Sequence, residues 1–221
     1  MNLVLVTSVI DPPQNPLSYS KTRSVFSKQE RFLDTILTIN SIRNKIPNSL
    51  IVLVECSDLT PTEEKYFTDN CDYLLNLWSR KDLHDKIFGS SKSLGEGTMT
   101  IEVLKYIQTQ RISYQNLIKI SGRYWLTDKF NYQQFNNNKL VCHRIRNNEN
   151  NVTTVLYKLS SEKVHKFLDF LVANTDLMYK KIGFEVLFAK FVNLADKNSV
   201  LYIDQIGITG KVTINGEIYE K

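Results

Sequence analysis

The chain has 221 residues, of which 42% are hydrophobic and 23% charged, and its formal net charge is +5. These ordinary globular values predict a single domain over residues 1–221, large enough to bury a core without disulfides or metals. No apolar run approaches the roughly 18 residues that a membrane-spanning helix needs. Three cysteines without a paired spacing indicate a reducing compartment, so we expect a cytoplasmic protein.

The first half of the chain alternates predicted strands with predicted helices. The segment 3–9 is apolar over the length of a buried strand and lacks the basic start and cleavage site of a signal peptide. Capping boxes at 27–30 and 60–63 predict the starts of two helices, and the loop at 11–26 is long enough to suggest a function. Further strands are predicted at 50–54, 73–77 and 117–120. The alternation predicts βαβ units and a mainly parallel sheet.

The second half of the chain predicts a different arrangement. Strands at 139–145 and 153–159 flank a polar turn, which is typical of an antiparallel pair. Asn215-Gly216 predicts a terminal hairpin over 211–220. The remaining predicted elements are helices at 161–174 and 183–194 and a strand at 200–206. The sequence therefore predicts an α/β fold with a mainly parallel central sheet, antiparallel C-terminal strands and a terminal hairpin.

The segment that follows the strand at 117–120 is the strongest candidate for a site. It runs Ser-Gly-Arg-Tyr-Trp over 121–125, and open α/β sheets bind ligands beyond the carboxyl ends of their strands. Arg123 offers a planar fork for a phosphate or a carboxylate, and the two aromatic rings can stack on a base or a sugar. The alternative is an ordinary strand-to-turn junction with an exposed arginine.

A second candidate is the glycine-containing segment Lys-Ser-Leu-Gly-Glu-Gly at 92–97. We expect a loop there that leads into a helix ending near residue 110. Its backbone N–H groups, the helix N-terminus and Lys92 suit an anion. The consensus patterns GxxxxGK[ST] and GxGxxG are absent, however, and a plain helix start is an equally good interpretation.

Three titratable residues are candidates to carry chemistry. Glu185 lies in an apolar segment near a predicted helix start, where burial would raise its pKa as a general base requires. The alternative is a first-turn glutamate favoured by the helix dipole. Glu96 is less distinctive. His143 has no partners at metal-ligand spacing, and a packed or surface histidine is the simpler interpretation.

Positive charge is concentrated over 111–146, which holds seven Lys and Arg residues against the single acid Asp128. Such a basic stripe favours an anionic ligand, either a nucleoside diphosphate or a nucleic acid. The alternative is an ordinary solvated surface.

Four groups of residues together form a recognisable pattern. They are Thr7-Ser8-Val9-Ile10; Arg31-Phe32, Thr35, Thr38-Ile39, Ser41-Ile42-Arg43 and Lys45-Ile46-Pro47; Lys92-Ser93-Leu94-Gly95-Glu96; and Ser121-Gly122-Arg123-Tyr124. The pattern resembles small glycosyltransferase-like proteins of bacterial polysaccharide clusters and large DNA viruses, which are similar to the GT-A nucleotide-sugar transferases. The resemblance covers most of the chain and is strongest over 1–130.

The resemblance implies a Rossmann-like GT-A domain that transfers a sugar from a UDP- or GDP-sugar to a glycan or another hydroxyl acceptor. Arg123 would compensate the charge of the leaving diphosphate, and Glu185 resembles in position the base of inverting enzymes. Trp125 and His143 are assigned to the acceptor. The residues assigned to the donor are Thr7, Ser8, Val9, Arg23, Arg31, Lys92, Gly95, Ser121, Gly122 and Tyr124.

The family's Asp-x-Asp motif, which holds Mn²⁺ or Mg²⁺ on the diphosphate, is missing after the strand at 117–120. The nearest acid is Asp128, and the region of Asp58 is another potential source of ligands. We therefore expect no protein-held metal, with any use of Mn²⁺ or Mg²⁺ atypical, and arginine and lysine in its place. A transferase would have no nucleic-acid partner. The alternatives are a non-catalytic nucleic-acid-binding domain and a degenerate transferase that binds sugars without catalysis.

Overall fold

The computed structural model describes residues 1–221, except for the side chain of Asn147. Its strands are β1 (Asn2–Ser8), β2 (Ser49–Glu55), β3 (Tyr73–Asn76), β4 (Asn116–Ser121), β5 (Tyr124–Leu126), β6 (Leu140–Cys142), β7 (Leu156–Ser160), β8 (Val200–Tyr202), β9 (Ile208–Lys211) and β10 (Ile218–Glu220). Its α-helices are α1 (Lys28–Lys45), α2 (Pro61–Asn70), α3 (Lys81–Phe88), α4 (Lys92–Thr109), α5 (Ser161–Ala173), α6 (Thr175–Tyr179) and α7 (Phe184–Asn193).

The central sheet has seven strands in the order β3-β2-β1-β4-β7-β6-β8. Strands β1 to β4 pair in parallel, and β7 is antiparallel to both β4 and β6. Because β8 is parallel to β6, only β7 runs against the other six strands. The predicted α/β class and mainly parallel sheet are confirmed, with one antiparallel strand where the C-terminal part of the chain joins.

The order of the strands places a topological switch point beside β1. The chain moves from β1 to β2 and β3 on one side, and then returns to β4 on the other side. The connections that leave β1 and β4 therefore diverge and open a crevice beyond the carboxyl ends of these two strands. Helices α4, α5 and α7 pack on one face of the sheet, while α1 and α2 pack on the other.

Local sequence signals set most helix boundaries as expected. In both capping boxes the first side chain accepts the N3 backbone N–H and the glutamate accepts the N-cap backbone N–H, at Ser27 with Glu30 and at Thr60 with Glu63. Helix α1 ends at Lys45, two residues before Pro47, which cannot continue a helix. Helix α3, by contrast, was not predicted.

The expectation of a glycine loop at 92–97 is wrong, because helix α4 begins at Lys92. The Ser91 side chain caps it by accepting the N–H of Leu94. Gly95 is needed for packing: an added Cβ would lie 2.6 Å from the carbonyl oxygen of Ile87 in α3. Gly95 therefore lets α4 approach α3, and the segment forms the first turns of a helix, as in the alternative interpretation of a plain helix start.

The terminal hairpin is confirmed, and it contributes to a separate small sheet. Strands β9 and β10 pair antiparallel, and β9 also pairs with β5. Gly216 has a φ of +75°, a conformation that glycine adopts without strain. Lys211 Nζ lies 3.1 Å from Oδ1 of the buried Asp34, so the hairpin is tied to α1. This tie holds the hairpin tip beside the switch point.

Candidate functional site

A cavity opens at the switch point, beyond the carboxyl ends of β1 and β4. Thr7, Ser8 and Val9 line it from the end of β1, and Ser121 and Arg123 line it from the end of β4. Its empty space, counted together with the open mouth, is about 800 Å³. This first cavity therefore has the position of a ligand site in an open α/β sheet.

Four cations line the first cavity without a carboxylate partner among the described side chains: Arg31, Arg123, Lys92 and, in a different role, Arg23. Among the described side chains, no carboxylate lies within 4.0 Å of the charged nitrogens of Arg31, Arg123 or Lys92. Arg31 is only 4% exposed, and its Nε donates to the carbonyl oxygen of Val9 at 2.7 Å. Burial and then the charge of Arg123 lower the pKa of Arg31 to about 9, so it remains a cation at neutral pH.

Arg123 and Lys92 place the other two charges. Nε of Arg123 is buried without a hydrogen-bond partner among the described atoms. Lys92 is the first residue of α4 and is exposed at the cavity, so its ammonium adds to the positive end of the helix dipole. Desolvation of the ammonium by the surrounding protein atoms, and then the positive charge of Arg123, lower the pKa of Lys92 below its usual value. An anion bound between them would relieve this repulsion.

Arg23 has a different role from these three cations, although it also lines the cavity. Its guanidinium donates to the carbonyl oxygens of Phe88 (2.8 Å) and Gly89 at the end of α3, and to that of Asn15 at 3.2 Å. A cation at a helix C-terminus satisfies carbonyls that have no partner within the helix. Arg23 therefore pins the loop at 9–26 onto α3 and so forms one wall of the cavity.

The wall beside the cations is apolar. It comprises Val9, Pro12, Leu17, Ile87, Phe88, Met99 and Ile214. An apolar surface next to grouped cations suits a ligand with a flat apolar part and a phosphate part, as a nucleotide has.

A second cavity adjoins the first one, and its empty space, counted together with the open mouth, is about 510 Å³. Tyr19, Lys92 and Glu96 line both cavities, so the two meet at these side chains. The start of α4 and the start of α7 converge on the second cavity, and Glu185 lines it from the first turn of α7. A ligand that extends out of the first cavity past Lys92 would reach Glu185.

The two carboxylates of the second cavity are held differently. Glu185 is half-buried, and no described side chain or backbone group forms a hydrogen bond or ion pair with its carboxylate. Glu96 is fixed, because its Oε1 accepts a hydrogen bond from Lys119 Nζ at 2.8 Å. Burial raises the pKa of Glu96, but Lys119, Lys92 and Arg123 together lower it below its usual value. Glu185 is therefore the carboxylate without a competing partner.

Most residues predicted for the donor lie in the first cavity. These are Thr7, Ser8, Val9, Arg23, Arg31, Lys92, Gly95 and Ser121, and Arg123, which was predicted to compensate the diphosphate charge, lies with them. They come together because β1 and β4 are neighbours and the N-terminus of α4 faces the same edge of the sheet.

Two predicted donor residues lie behind the cavity wall. Tyr124 is 5% exposed and packs edge-on against Tyr219 at a centroid distance of 5.6 Å, so its ring belongs to the core. Gly122 is buried against Ser8, and its carbonyl oxygen accepts a hydrogen bond from Thr35. Neither residue lines the first or second cavity.

The two residues predicted for the acceptor also lie outside both cavities. Trp125 belongs to β5 and pairs with Thr209 of β9. His143 is half-buried, and its Nδ1 lies 2.8 Å from the carbonyl oxygen of Ile203. The simpler interpretation of His143, a packed side chain, fits this placement.

The residues around the first cavity do not fit a protein-held metal. No group of three or more His, Cys, Asp or Glu side chains among the described residues is arranged to hold a metal ion. Asp128 is fully exposed and pairs with Lys45 at 2.7 Å, and neither Asp128 nor Asp58 lines a cavity. The position after β4 carries a serine and an arginine, which are poor ligands for Mg²⁺ or Mn²⁺.

Two residues of the site were not predicted: Tyr19, which lines both cavities, and Lys119, which lies behind the wall and holds Glu96. Tyr19 lies in the long loop and offered no signal beyond the length of that loop. Lys119 did offer one, because it is a charged residue inside an otherwise apolar strand.

Comparisons with known proteins do not identify a family for this chain. No protein-family model matches it, and no curated protein sequence matches it. Among the helices that the structure describes, none has the length and apolar character needed to cross a bilayer. The function must therefore be inferred from the two cavities and the charges that line them.

Proposed function

We propose that the protein is a glycosyltransferase that moves a sugar from a nucleoside-diphosphate sugar to a hydroxyl acceptor. One observation carries the proposal: Arg31, Arg123 and Lys92 meet without a carboxylate partner at a topological switch point, beside an apolar wall. A GT-A-like domain over residues 1–221 is proposed on the same basis, supported by the order β3-β2-β1-β4 of the parallel strands.

The two parts of the proposed donor match the two parts of the first cavity, its apolar wall and its group of cations. The base and ribose lie against the apolar wall, and the diphosphate lies between the two arginines and Lys92. Arginine suits this position because its planar fork donates two parallel hydrogen bonds to phosphate oxygens. As the sugar leaves, negative charge grows on the diphosphate, and these fixed cations stabilise it. Because the residues after β4 do not fit a metal, we propose that donor binding requires none.

Glu185 is proposed as the general base. The oxygen of the acceptor hydroxyl forms a bond to the anomeric carbon while the bond from that carbon to the diphosphate oxygen breaks. The hydroxyl proton passes to the Glu185 carboxylate, and the nucleoside diphosphate leaves with the bonding electrons. A hydroxyl is a poor nucleophile at neutral pH, so a carboxylate without a competing partner in the second cavity supports this role.

The nucleic-acid alternative fits the structure less well. The 111–146 stripe does not form one exposed surface, because Lys119 is completely buried and Tyr124 lies in the core. Arg144 stacks over the ring of Tyr202 at 3.6 Å.

A degenerate transferase that binds sugars without catalysis shares the same cavities and differs only in turnover. The proposed location is the cytoplasm, which the three buried, unpaired cysteines support.

A thermal-shift panel tests the proposed ligand. We expect millimolar UDP or GDP, or one of their sugars, to raise the melting temperature, because a ligand that binds only the folded state stabilises it. The shift should survive EDTA, since protein cations hold the diphosphate. Single-stranded DNA is the comparison ligand. If DNA binds tightly in a salt-sensitive manner while no nucleotide produces a shift, the transferase proposal is wrong.

Replacing Arg123 tests the contact with the diphosphate. Arg123→Lys should weaken donor affinity about ten-fold or more, nearly as much as Arg123→Ala, because an ammonium cannot form the bidentate contact. Titration calorimetry with the nucleotide from the panel measures this change. Arg43→Lys is the matched control, because Arg43 lines neither cavity. The donor affinity of this variant should equal that of the wild type. Wild-type affinity in both Arg123 variants would show that Arg123 is only a surface residue.

Replacing Glu185 tests the general base. Glu185→Gln keeps the shape of the side chain, so we expect donor affinity within a few-fold of wild type and turnover lower by roughly 10²–10⁴-fold. The matched control is Glu162→Gln, which changes a first-turn glutamate of α5 that lines neither cavity. Loss of the fold together with donor binding would mark Glu185 as structural, and unchanged turnover would remove it from the reaction.

A further inference from the structure

Lys119 is a completely buried charge in the middle of the central sheet. Its Nζ donates to Glu96 Oε1 at 2.8 Å, to Ser121 Oγ at 2.9 Å and to the carbonyl oxygen of Thr154 at 2.6 Å. All three ammonium protons are therefore used, and the geometry of the group is fixed from three directions. Ser121 and Glu96 both line the first cavity, so Lys119 connects two parts of its wall from behind.

The fold alone does not call for this ion pair. Desolvating two charges costs about as much as their attraction returns, and an apolar pair of similar volume is often as stable or more so. The neighbouring residues of β4 on the same face and around it are apolar or small, as expected for a buried parallel strand. What distinguishes Lys119 from a buried lysine that meets only carbonyl oxygens is that its partner is a carboxylate on the cavity wall.

Glu96 lies where the two cavities meet, and only one of its carboxylate oxygens has a protein partner. Oε1 is taken by Lys119, whereas Oε2 has no hydrogen-bond partner among the described atoms and is not sealed in the core. The Glu96 side chain is 16% exposed, and the residue lines both cavities. Because Lys119 favours the ionised carboxylate, Glu96 offers a hydrogen-bond acceptor and no donor.

We infer that Glu96 binds hydroxyl groups of the transferred sugar, and that Lys119 is the positioning residue that fixes this carboxylate. The inference rests on the proposed function: a sugar joined to a diphosphate in the first cavity and attacked from the second cavity must lie where the two meet. Of the three residues that line both cavities, Glu96 alone is acceptor-only. Sugar hydroxyls are donors, and a carboxylate oxygen accepts hydrogen bonds from two of them.

The same geometry separates Glu96 from Glu185. A carboxylate held by a buried ammonium binds a proton weakly, which suits a fixed hydrogen-bond acceptor and not a base. Glu185 has no such partner and lines only the second cavity. We therefore expect Glu96 to determine how tightly the sugar is held, independently of proton transfer.

The test compares a nucleoside diphosphate with its own nucleotide sugar. The pair used is the UDP-sugar or GDP-sugar that gives the largest shift in the thermal panel, together with free UDP or GDP. Affinities are measured by calorimetry for the wild type, Glu96→Gln, Lys119→Met and the double variant Glu96→Gln/Lys119→Met. The double variant removes both charges and keeps the volume, so it remains informative if Lys119→Met alone fails to fold.

Lys158→Met is the matched control for removing a buried charge. Lys158 is also completely buried, but it lies in β7 and its Nζ donates to the carbonyl oxygens of Asn137 and Lys139, the latter at 2.6 Å. It lines neither cavity. We expect this variant to lose stability while its preference for the nucleotide sugar stays at the wild-type value.

The expected result is a loss of affinity confined to the sugar. In Glu96→Gln and in the double variant, affinity for the nucleotide sugar should fall about ten-fold or more, while affinity for the free nucleoside diphosphate changes by less than about three-fold. An unchanged preference for the sugar would overturn the inference, as would a parallel loss of both affinities, which marks Glu96 as structural. A wild type that binds neither compound would contradict the proposed function itself.

Discussion

Positive charge held without a carboxylate partner is the constraint on which the candidate site depends. Arg31 is almost completely buried, and burial and the charge of Arg123 lower its pKa to about 9. A cation whose pKa is lower in the folded state than in the unfolded state opposes folding at every pH below that lowered pKa. The protein therefore carries this cost across the whole physiological range. A bound anion would offset this cost by Coulombic attraction, which would link the stability of the fold to the occupancy of the first cavity.

The fold explains why these charges meet. Strand β1 pairs with β2 on one side and with β4 on the other, with Thr7 opposite Ser121 in the register. The backbone N–H of Gly122 donates to the carbonyl oxygen of Thr7 at 2.9 Å, which directs the chain after β4 across the end of β1. Arg123 then lies beside Arg31, which reaches the same edge from α1. Each part of the site comes from an element whose position the sheet fixes.

Much of this arrangement could be predicted from the sequence, because it depends on local signals and on one topological rule. Apolar runs located the strands, capping boxes located α1 and α2, and the ends of β1 and β4 supplied Thr7, Ser8 and Arg123. The loop predicted at 92–97 was wrong, because glycine usually indicates a turn. Here Gly95 lies inside a helix and allows α4 to pack against the carbonyl oxygen of Ile87. The burial of Tyr124 could not be predicted, because sequence alone does not show which face of β5 is covered.

The second cavity could not have been predicted, because it forms between segments that are distant in the chain. Its walls come from the long loop, the start of α4 and the start of α7, and Tyr19, Lys92 and Glu185 meet only in the folded protein. The Lys119–Glu96 pair is similar: the lysine is visible in the sequence as an exception in an apolar strand, but its partner lies in a helix. This pair connects the core of the sheet to the wall of the first cavity.

The most direct test of the account is a crystal structure of the protein with the nucleoside diphosphate that stabilises it most. The account predicts density for two phosphates in the first cavity, within hydrogen-bond distance of the guanidinium groups of Arg31 and Arg123, with the base against the apolar wall. A nucleotide bound elsewhere on the surface, while Arg31 and Arg123 contact only protein and water, would contradict the account.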